Sequence, residues 1–225
     1  MYKYLFFDAD GTLFNFKKSE KIALENAIRQ EAGIWRDEFF PAYHEINDQL
    51  WKKAERKEIT LEKLRPERFE ILKKRFGLEY DSNRMSDAYI DCLSKSTDML
   101  PGAIEILEKY SRTHTLVLMT NGLSKVQRGR LHGTDTAKYF KLVVISEEIK
   151  MQKPDARYFQ YAFDALGNPP LEEILMIGDS LTSDIQGARN AHIDSCLIAP
   201  CGVGADITPR PDYIISKIGE LKEIV

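Results

Sequence analysis

The stretch "YLFFDADGTLF", residues 4–14, runs from four bulky residues into two aspartates one residue apart. An unbroken apolar run of this kind is expected of a strand covered on both faces, where no solvent side imposes alternation. Asp8 and Asp10 then fall where that strand ends. The run "KYLFF" (3–7) has counterparts in "TLVLM" (115–119), "LVVI" (142–145) and "ILMI" (174–177), and "SCLI" (195–198) and "YII" (213–215) extend the series. All but the first are separated by segments of helical periodicity. The clearest of these carries Tyr158, Phe159, Ala162, Phe163 and Leu166 on one stripe. Alternation of strand and helix predicts right-handed crossovers and a doubly wound, parallel α/β sheet.

Residues 15–97 break this rhythm, because they contain helical patterns and no strand-like run. One pattern runs from Phe39 through Tyr43, Ile46 and Leu50 to Ala54. A second joins Leu61, Leu64, Arg68, Leu72 and Phe76, and a third joins Met85, Ala88, Tyr89, Cys92 and Leu93. The expected organisation is an α/β core over 1–14 and 98–225 with an all-helical insertion over 15–97. The charge-rich "KKAERKE" (52–58) reads as a solvated helix face.

A chain of 225 residues suits one core with a sizeable insertion. Its net charge of −3 argues against general nucleic-acid binding, which leaves a basic footprint. No run approaches the ~18 apolar residues of a membrane span, and Asp8 cuts the first run too short for a signal-peptide core. The 3 cysteines, Cys92, Cys196 and Cys201, include no CxxC pair and suit a reducing compartment, so the cytoplasm is expected. Oligomeric state is not set by these features.

Ligands of open α/β sheets bind at the carboxyl ends of the strands, so the polar residues after each run belong together. They are Asp8, Asp10 and Thr12 after the first run, Thr120 and Asn121 after the second, Lys153 beyond the third, and Asp179 and Asp184 after the fourth. Any one of them could simply cap a helix. Lys153 resists that reading, because a lysine at a helix start faces the positive end of the dipole. Pro154 suits the first helical position and puts Lys153 just before it. A cation there implies an anion nearby.

Residues i and i+2 of an extended backbone point the same way, so Asp8 and Asp10 are expected to face one pocket. At ~4 Å and an effective dielectric near 20, their repulsion is about 4 kcal/mol. A divalent cation or a proton on one carboxylate relieves it. Magnesium suits such a site, since it takes oxygen ligands and is commonly held by one or two carboxylates and a substrate phosphate. Asp8 and Asp179 are the natural direct ligands. Gly11 allows a sharp turn and close approach to a phosphate. Thr120 offers a hydroxyl donor to a phosphoryl oxygen, and Lys153 offers a point charge.

"DADGT" (8–12), "MTNG" (119–122), "KPD" (153–155) and "GDSLTSD" (178–184) resemble, in order, the four motifs of the haloacid dehalogenase (HAD) superfamily. The resemblance implies a Rossmann-like core with a helical cap inserted after the first strand. It implies Asp8 as a nucleophile that forms an aspartyl-phosphate, and Asp10 as the general acid and then base. It further implies Mg²⁺ held by the Asp8 carboxylate, the Asp10 backbone carbonyl and Asp179. Asp184 would support the metal shell or orient Lys153. Thr120 and the Asn121 backbone would bind the phosphoryl group, and Lys153 would offset charge. Dehalogenases of this superfamily lack an aspartate at the second motif position, so Asp10 and Gly11 favour a phosphatase over a 2-haloacid dehalogenase. Receiver domains share the aspartate, hydroxyl and lysine but lack that second aspartate and a large helical insertion.

The segments "YLFFDADGTLFNF", "NDQLW", "VISEEIKMQKPD" and "LMIGDSLTSDIQGARNA" are similar to YjjG-type pyrimidine 5′-nucleotidases. This implies a small-molecule phosphate ester, a nucleoside monophosphate, as substrate. His192 and "CLIAP" (196–200) depart from that pattern. A phosphatase of phosphoglycolate or a sugar phosphate is the neighbouring alternative, followed by a phosphoglucomutase-like mutase. Phe16, Tyr43, Trp51 and Tyr89 are candidate platforms for a base. Lys125, Arg128 and Arg130 read as a solvated helix face that could also meet substrate, and Cys201 is expected to pack within "CGVG" (201–204). His44, His114, His132 and His192 lack ligand spacing.

Overall fold

The computed structural model describes residues 1–204 and 206–225. Among these, β1 (Tyr4–Phe7), β2 (Thr115–Thr120), β3 (Leu142–Ile145), β4 (Ile174–Gly178), β5 (Asp194–Ile198) and β6 (Tyr213–Ile215) form one sheet. All neighbours are parallel, in the order β3-β2-β1-β4-β5-β6. The strand order therefore reverses between β1 and β4, which is where a doubly wound sheet opens a crevice at its carboxyl edge.

The apolar runs are continuous because both faces of the sheet are covered. Leu5, Phe7, Leu116, Leu118, Leu175 and Ile177 join one buried core, while Phe6, Val117, Met119, Ile174 and Met176 join the other. Each side chain so buried contributes roughly 1.5–3 kcal/mol. These two cores hold β1 and β4 in register, with Phe7 opposite Ile177. Whatever follows those two residues is thus fixed side by side.

The chain divides into two compact units, Met1–Phe16 with Thr97–Val225, and Lys17–Ser96. The second unit is built from α1 (Phe16–Ala32), α2 (Phe39–Glu55), α3 (Leu61–Phe76) and α4 (Ser82–Ser94). Thr60 and Asp81 cap α3 and α4 with their side-chain oxygens, and Gly77 closes α3 in the left-handed conformation. At its centre the Tyr43 ring stacks on Phe69 at 5.2 Å, with Tyr89 at 5.4 and 5.5 Å from the two. Tyr43 and Tyr89 are fully buried there, so both are packing residues and not platforms for a base. Phe16 and Trp51 are half-buried.

Arg68 occupies a position of the α3 stripe because its charge is answered inside the unit. Its guanidinium lies 4.7 Å from the Tyr89 ring centre and donates to Asn47 Oδ1 at 3.0 Å. Asn47 in turn donates to Glu20 Oε1 at 2.9 Å, and His44 Nδ1 lies 2.6 Å from Glu20 Oε2. Burial raises the Glu20 pKa, against the opposing pull of His44 and Arg68.

Helices α5 (Ala103–Tyr110), α6 (Ser124–Gly133), α7 (Ser146–Ile149), α8 (Ala156–Ala165) and α9 (Gln186–Asn190) belong to the sheet unit. Helix α5 packs into the first sheet core, and α8 and α9 pack into the second. No helix among the described residues is long and apolar enough to cross a membrane. All three cysteines are free thiols, and Cys201 is exposed instead of packed, since its loop buries nothing around it.

Candidate active site

Asp8 follows β1 directly, and its N–H donates to the Ile177 carbonyl at 2.9 Å. That bond continues the ladder one residue past the strand and places the Asp8 carboxylate at the β1/β4 crevice. Asp179 follows β4 at the same edge. Between them comes the turn after Asp8, where Gly11 has φ +82°. A side chain is disfavoured there on two counts. The backbone is left-handed, and a Cβ would overlap the Asp179 carboxylate. Gly178 is constrained in the same way, because a Cβ on it would overlap Asp184.

Asp184 sits in a π-helical turn over Leu181–Ile185, a wide turn often found at functional sites. Ser180 caps this turn through its side chain, while its backbone N–H donates to Asp184 Oδ2 at 3.0 Å. The other oxygen, Asp184 Oδ1, accepts from Lys153 Nζ at 2.7 Å. Lys153 is itself only 1 % exposed. Its remaining protons go to Asp8 Oδ1 at 2.6 Å and to the Met119 carbonyl at 2.7 Å, so all three donors are used.

The path of Lys153 differs from the sequence expectation. Asp155, whose carboxylate accepts from the Arg157 N–H at 3.0 Å, is the cap of α8, and the helix begins at Ala156. Pro154 therefore precedes the helix and does not occupy its first position. Asn121 secures this loop, since its side-chain amide exchanges two 2.9 Å hydrogen bonds with the Lys153 backbone. Thr120 ends β2 and is buried, and its hydroxyl accepts from the Gly122 N–H at 3.0 Å.

Asp8, Asp179 and Asp184 each offer a carboxylate oxygen, and these oxygens all lie within 4.8 Å of one another. Asp8 and Asp184 are buried, whereas Asp179 keeps an open face to solvent although protein surrounds the rest of it. Burial pushes the Asp8 carboxyl well above the usual range; Lys153 opposes this, and Asp184 and Asp179 add to it. Burial, then Asp184, push Asp179 up to about 7, with Lys153 again opposing and Asp10 reinforcing. Burial alone would lower Lys153, but Asp184 and Asp8 outweigh it and keep the ammonium charged. One ammonium among three ionised carboxylates leaves an excess of two negative charges. All the donors are hard oxygens, and their charge resists ionisation without a further cation. A divalent ion such as Mg²⁺ fits that set.

Asp10 is held by side chains other than those that hold Asp8. The extended backbone ends at Phe7, and the residues that follow turn so that the Asp10 backbone bridges to Phe14. The Asp10 carboxylate accepts from Gln127 Nε2 at 2.6 Å and pairs with Arg130 Nη1. Asp8 and Asp10 thus have separate cationic partners, Lys153 and Arg130. Arg130 also overturns the solvated-face reading of its helix. Lys125 and Arg128 are exposed on α6, but Arg130 is fully buried. The signal was present in the buried stripe Val126, Gln127, Arg130 and Leu131, where two polar residues interrupt the apolar face.

This architecture has known relatives. Residues 2–192 match the family model described as haloacid dehalogenase-like hydrolase. The chain belongs to the haloacid dehalogenase-like hydrolases. It is 34 % identical to the pyrimidine 5′-nucleotidase PynA of Streptococcus pneumoniae, over 98 % of this chain and 93 % of that protein. It is 32 % identical to the pyrimidine 5′-nucleotidase YjjG of Escherichia coli, over 99 % of this chain and 97 % of that one. The HAD-hydrolase YfnB of Bacillus subtilis, solved bound to magnesium, superposes with a TM-score of 0.91 at 31 % identity, covering 99 % and 98 % of the two chains. In this chain Asp8, Asp179, Asp184 and Lys153 converge at the crevice between β1 and β4.

Proposed function

We propose that this hydrolase is a Mg²⁺-dependent phosphomonoesterase that acts through an aspartyl-phosphate on Asp8, with pyrimidine nucleoside 5′-monophosphates as its substrates. The observation that carries this reading is the joint placement of Asp8, Asp179, Asp184 and Lys153 at one crevice, with Asp10 held on the adjacent turn. The two nucleotidase relatives, which cover 98 % and 99 % of the chain, support this substrate class. The free thiols suit a cytoplasmic protein.

Asp8, Asp179 and the Asp10 carbonyl would hold Mg²⁺, which when bound offsets the negative charge of the carboxylates and of the phosphate. Lys153 holds Asp8 Oδ1 and so orients the nucleophile. Asp184 positions that lysine from its other side. In the first step an Asp8 oxygen bonds to phosphorus as the ester P–O bond breaks, and the departing alkoxide takes a proton from Asp10. In the second, Asp10 accepts a proton from water, whose oxygen bonds to phosphorus and releases the Asp8 carboxylate. The Thr120 hydroxyl accepts one bond and still has a proton to donate to a phosphoryl oxygen. Such catalysis consists mainly of positioning and charge stabilisation.

The test is release of inorganic phosphate from a panel of nucleoside monophosphates, sugar phosphates and phosphoglycolate, and of halide from 2-haloacids, with Mg²⁺ or with chelator. Turnover should be greatest on pyrimidine nucleotides, depend on Mg²⁺, and fall to background in Asp8→Asn. Preference for a sugar phosphate would replace the substrate, and full activity in chelator or in Asp8→Asn would remove the mechanism.

A further inference from the structure

Among the described residues Arg130 is the largest fully buried side chain, and Asp10 is its ion-pair partner. The pair is costly as a structural element. Arg130 Nε and Nη2 and Gln127 Oε1 have no hydrogen-bond partner among the described residues. A buried, incompletely satisfied ion pair is commonly less stabilising than an apolar replacement of the same volume. Yet the surroundings are shaped to keep it. The guanidinium carbon lies 5.5 Å from the Phe14 ring centre and 5.8 Å from that of Phe16. Gly122 leaves room for the Gln127 amide, which a Cβ at that position would overlap. Gln127 and Arg130 stand three residues apart on one face of α6, so both reach the same carboxylate.

We propose that Gln127 and Arg130 are positioning residues that fix the rotamer of Asp10, each holding one of its carboxylate oxygens. Lys153 does not hold Asp10; its carboxylate contacts are to Asp8 and Asp184. An aspartate on a turn, with an unrestrained χ1, would spend much of its time away from the leaving oxygen and from the attacking water. The two donors remove that freedom. Asp10 is on this account placed by α6, while Asp8 is placed by the loop of Lys153.

This inference builds on the phosphomonoesterase reading, and the experiment separates the two. Steady-state kinetics would be measured for wild type, Arg130→Met and Gln127→Met on a pyrimidine nucleoside monophosphate and on p-nitrophenyl phosphate, with thermal midpoints alongside. The nitrophenolate leaves without needing a proton, so its kcat/KM reports attack by Asp8 with little help from Asp10. The nucleoside alkoxide needs the proton. The ratio of kcat/KM, nucleotide over nitrophenyl ester, should fall at least about tenfold in both variants, within the range that a misplaced acid–base group costs. For the nitrophenyl ester, kcat should drop more than kcat/KM, because hydrolysis of the phosphorylated enzyme still requires Asp10.

Equal loss on both substrates, or none, would overturn the proposal, since a merely structural role lowers the amount of competent enzyme and leaves the ratio unchanged. If Arg130→Met does not fold, Gln127→Met decides alone, because it removes only a neutral amide. Wild-type protein that releases phosphate from neither ester would instead remove the functional reading beneath both.

Discussion

Lys153 shows how much one side chain carries in this site. It is buried, and it is the ammonium that answers Asp8 and Asp184. Replacing it by methionine keeps the volume and removes the charge, leaving two buried carboxylates facing one another. Loss of one partner from a buried pair typically costs about 3–5 kcal/mol. The sign of its pH dependence follows from Asp8. Burial holds the Asp8 carboxyl above its ordinary value, and removing Lys153, which opposes that rise, lifts it further. Between the unfolded value and that raised value the folded variant binds the extra proton, so its stability declines as pH rises through the window. Urea unfolding of Lys153→Met should therefore show a deficit that is largest near pH 8 and shrinks toward pH 5. A deficit that is constant with pH would mean that Lys153 acts by packing.

At the scale of elements, the strands were legible because two-sided burial writes itself as unbroken apolar runs, and the parallel α/β class followed from their alternation with helices. Helix α1 was not legible. Its buried positions include Ser19 and Glu20 beside Ala23, Leu24, Ala27 and Ile28, so its apolar stripe is narrow and interrupted. The same cause hid the role of Arg130, a charged residue on a buried face. Sequence patterning sees apolar spacing, and a buried ion pair is invisible to it until the partner is placed.

The interior of the helical unit is a second case, since Glu20, Asn47 and Arg68 come from three different helices. Arg68→Met should destabilise the protein by about 3 kcal/mol in urea unfolding, because Glu20 loses an opposing charge while staying buried. Burial has already raised Glu20, so the loss should be greater at pH 8, where the folded state must ionise it, than at pH 5. Adding Glu20→Gln to Arg68→Met should return most of the stability. Failure of that second change to help would show that Arg68 acts through its ring contacts alone.

For the whole molecule, the strand order sets the outcome. Reversal between β1 and β4 brings Asp8 and Asp179, distant in sequence, to one edge, and this makes the proposed metal site a property of the folded sheet. Asp179 is pushed up to about 7, chiefly by burial and then by Asp184. Without metal, the folded protein keeps that proton up to about pH 7, whereas the unfolded chain gives it up near the ordinary carboxylate value of about 4. Stability of the metal-free protein should therefore decline as pH rises across that interval and level off above it. Below pH 7 a cation must displace the proton, and above it the carboxylate is already free. Because a ligand at free concentration L that binds only the folded state stabilises by RT ln(1 + L/Kd), and protonation of Asp179 raises the apparent Kd, the rise in thermal midpoint with Mg²⁺ should be small at pH 5.5 and large at pH 8. Asp179→Asn should lose most of the rise and its pH dependence together. An equal rise at both pH values in the unaltered protein would place Mg²⁺ somewhere other than the β1/β4 edge, and would detach the proposed chemistry from the carboxylates that the sheet assembles.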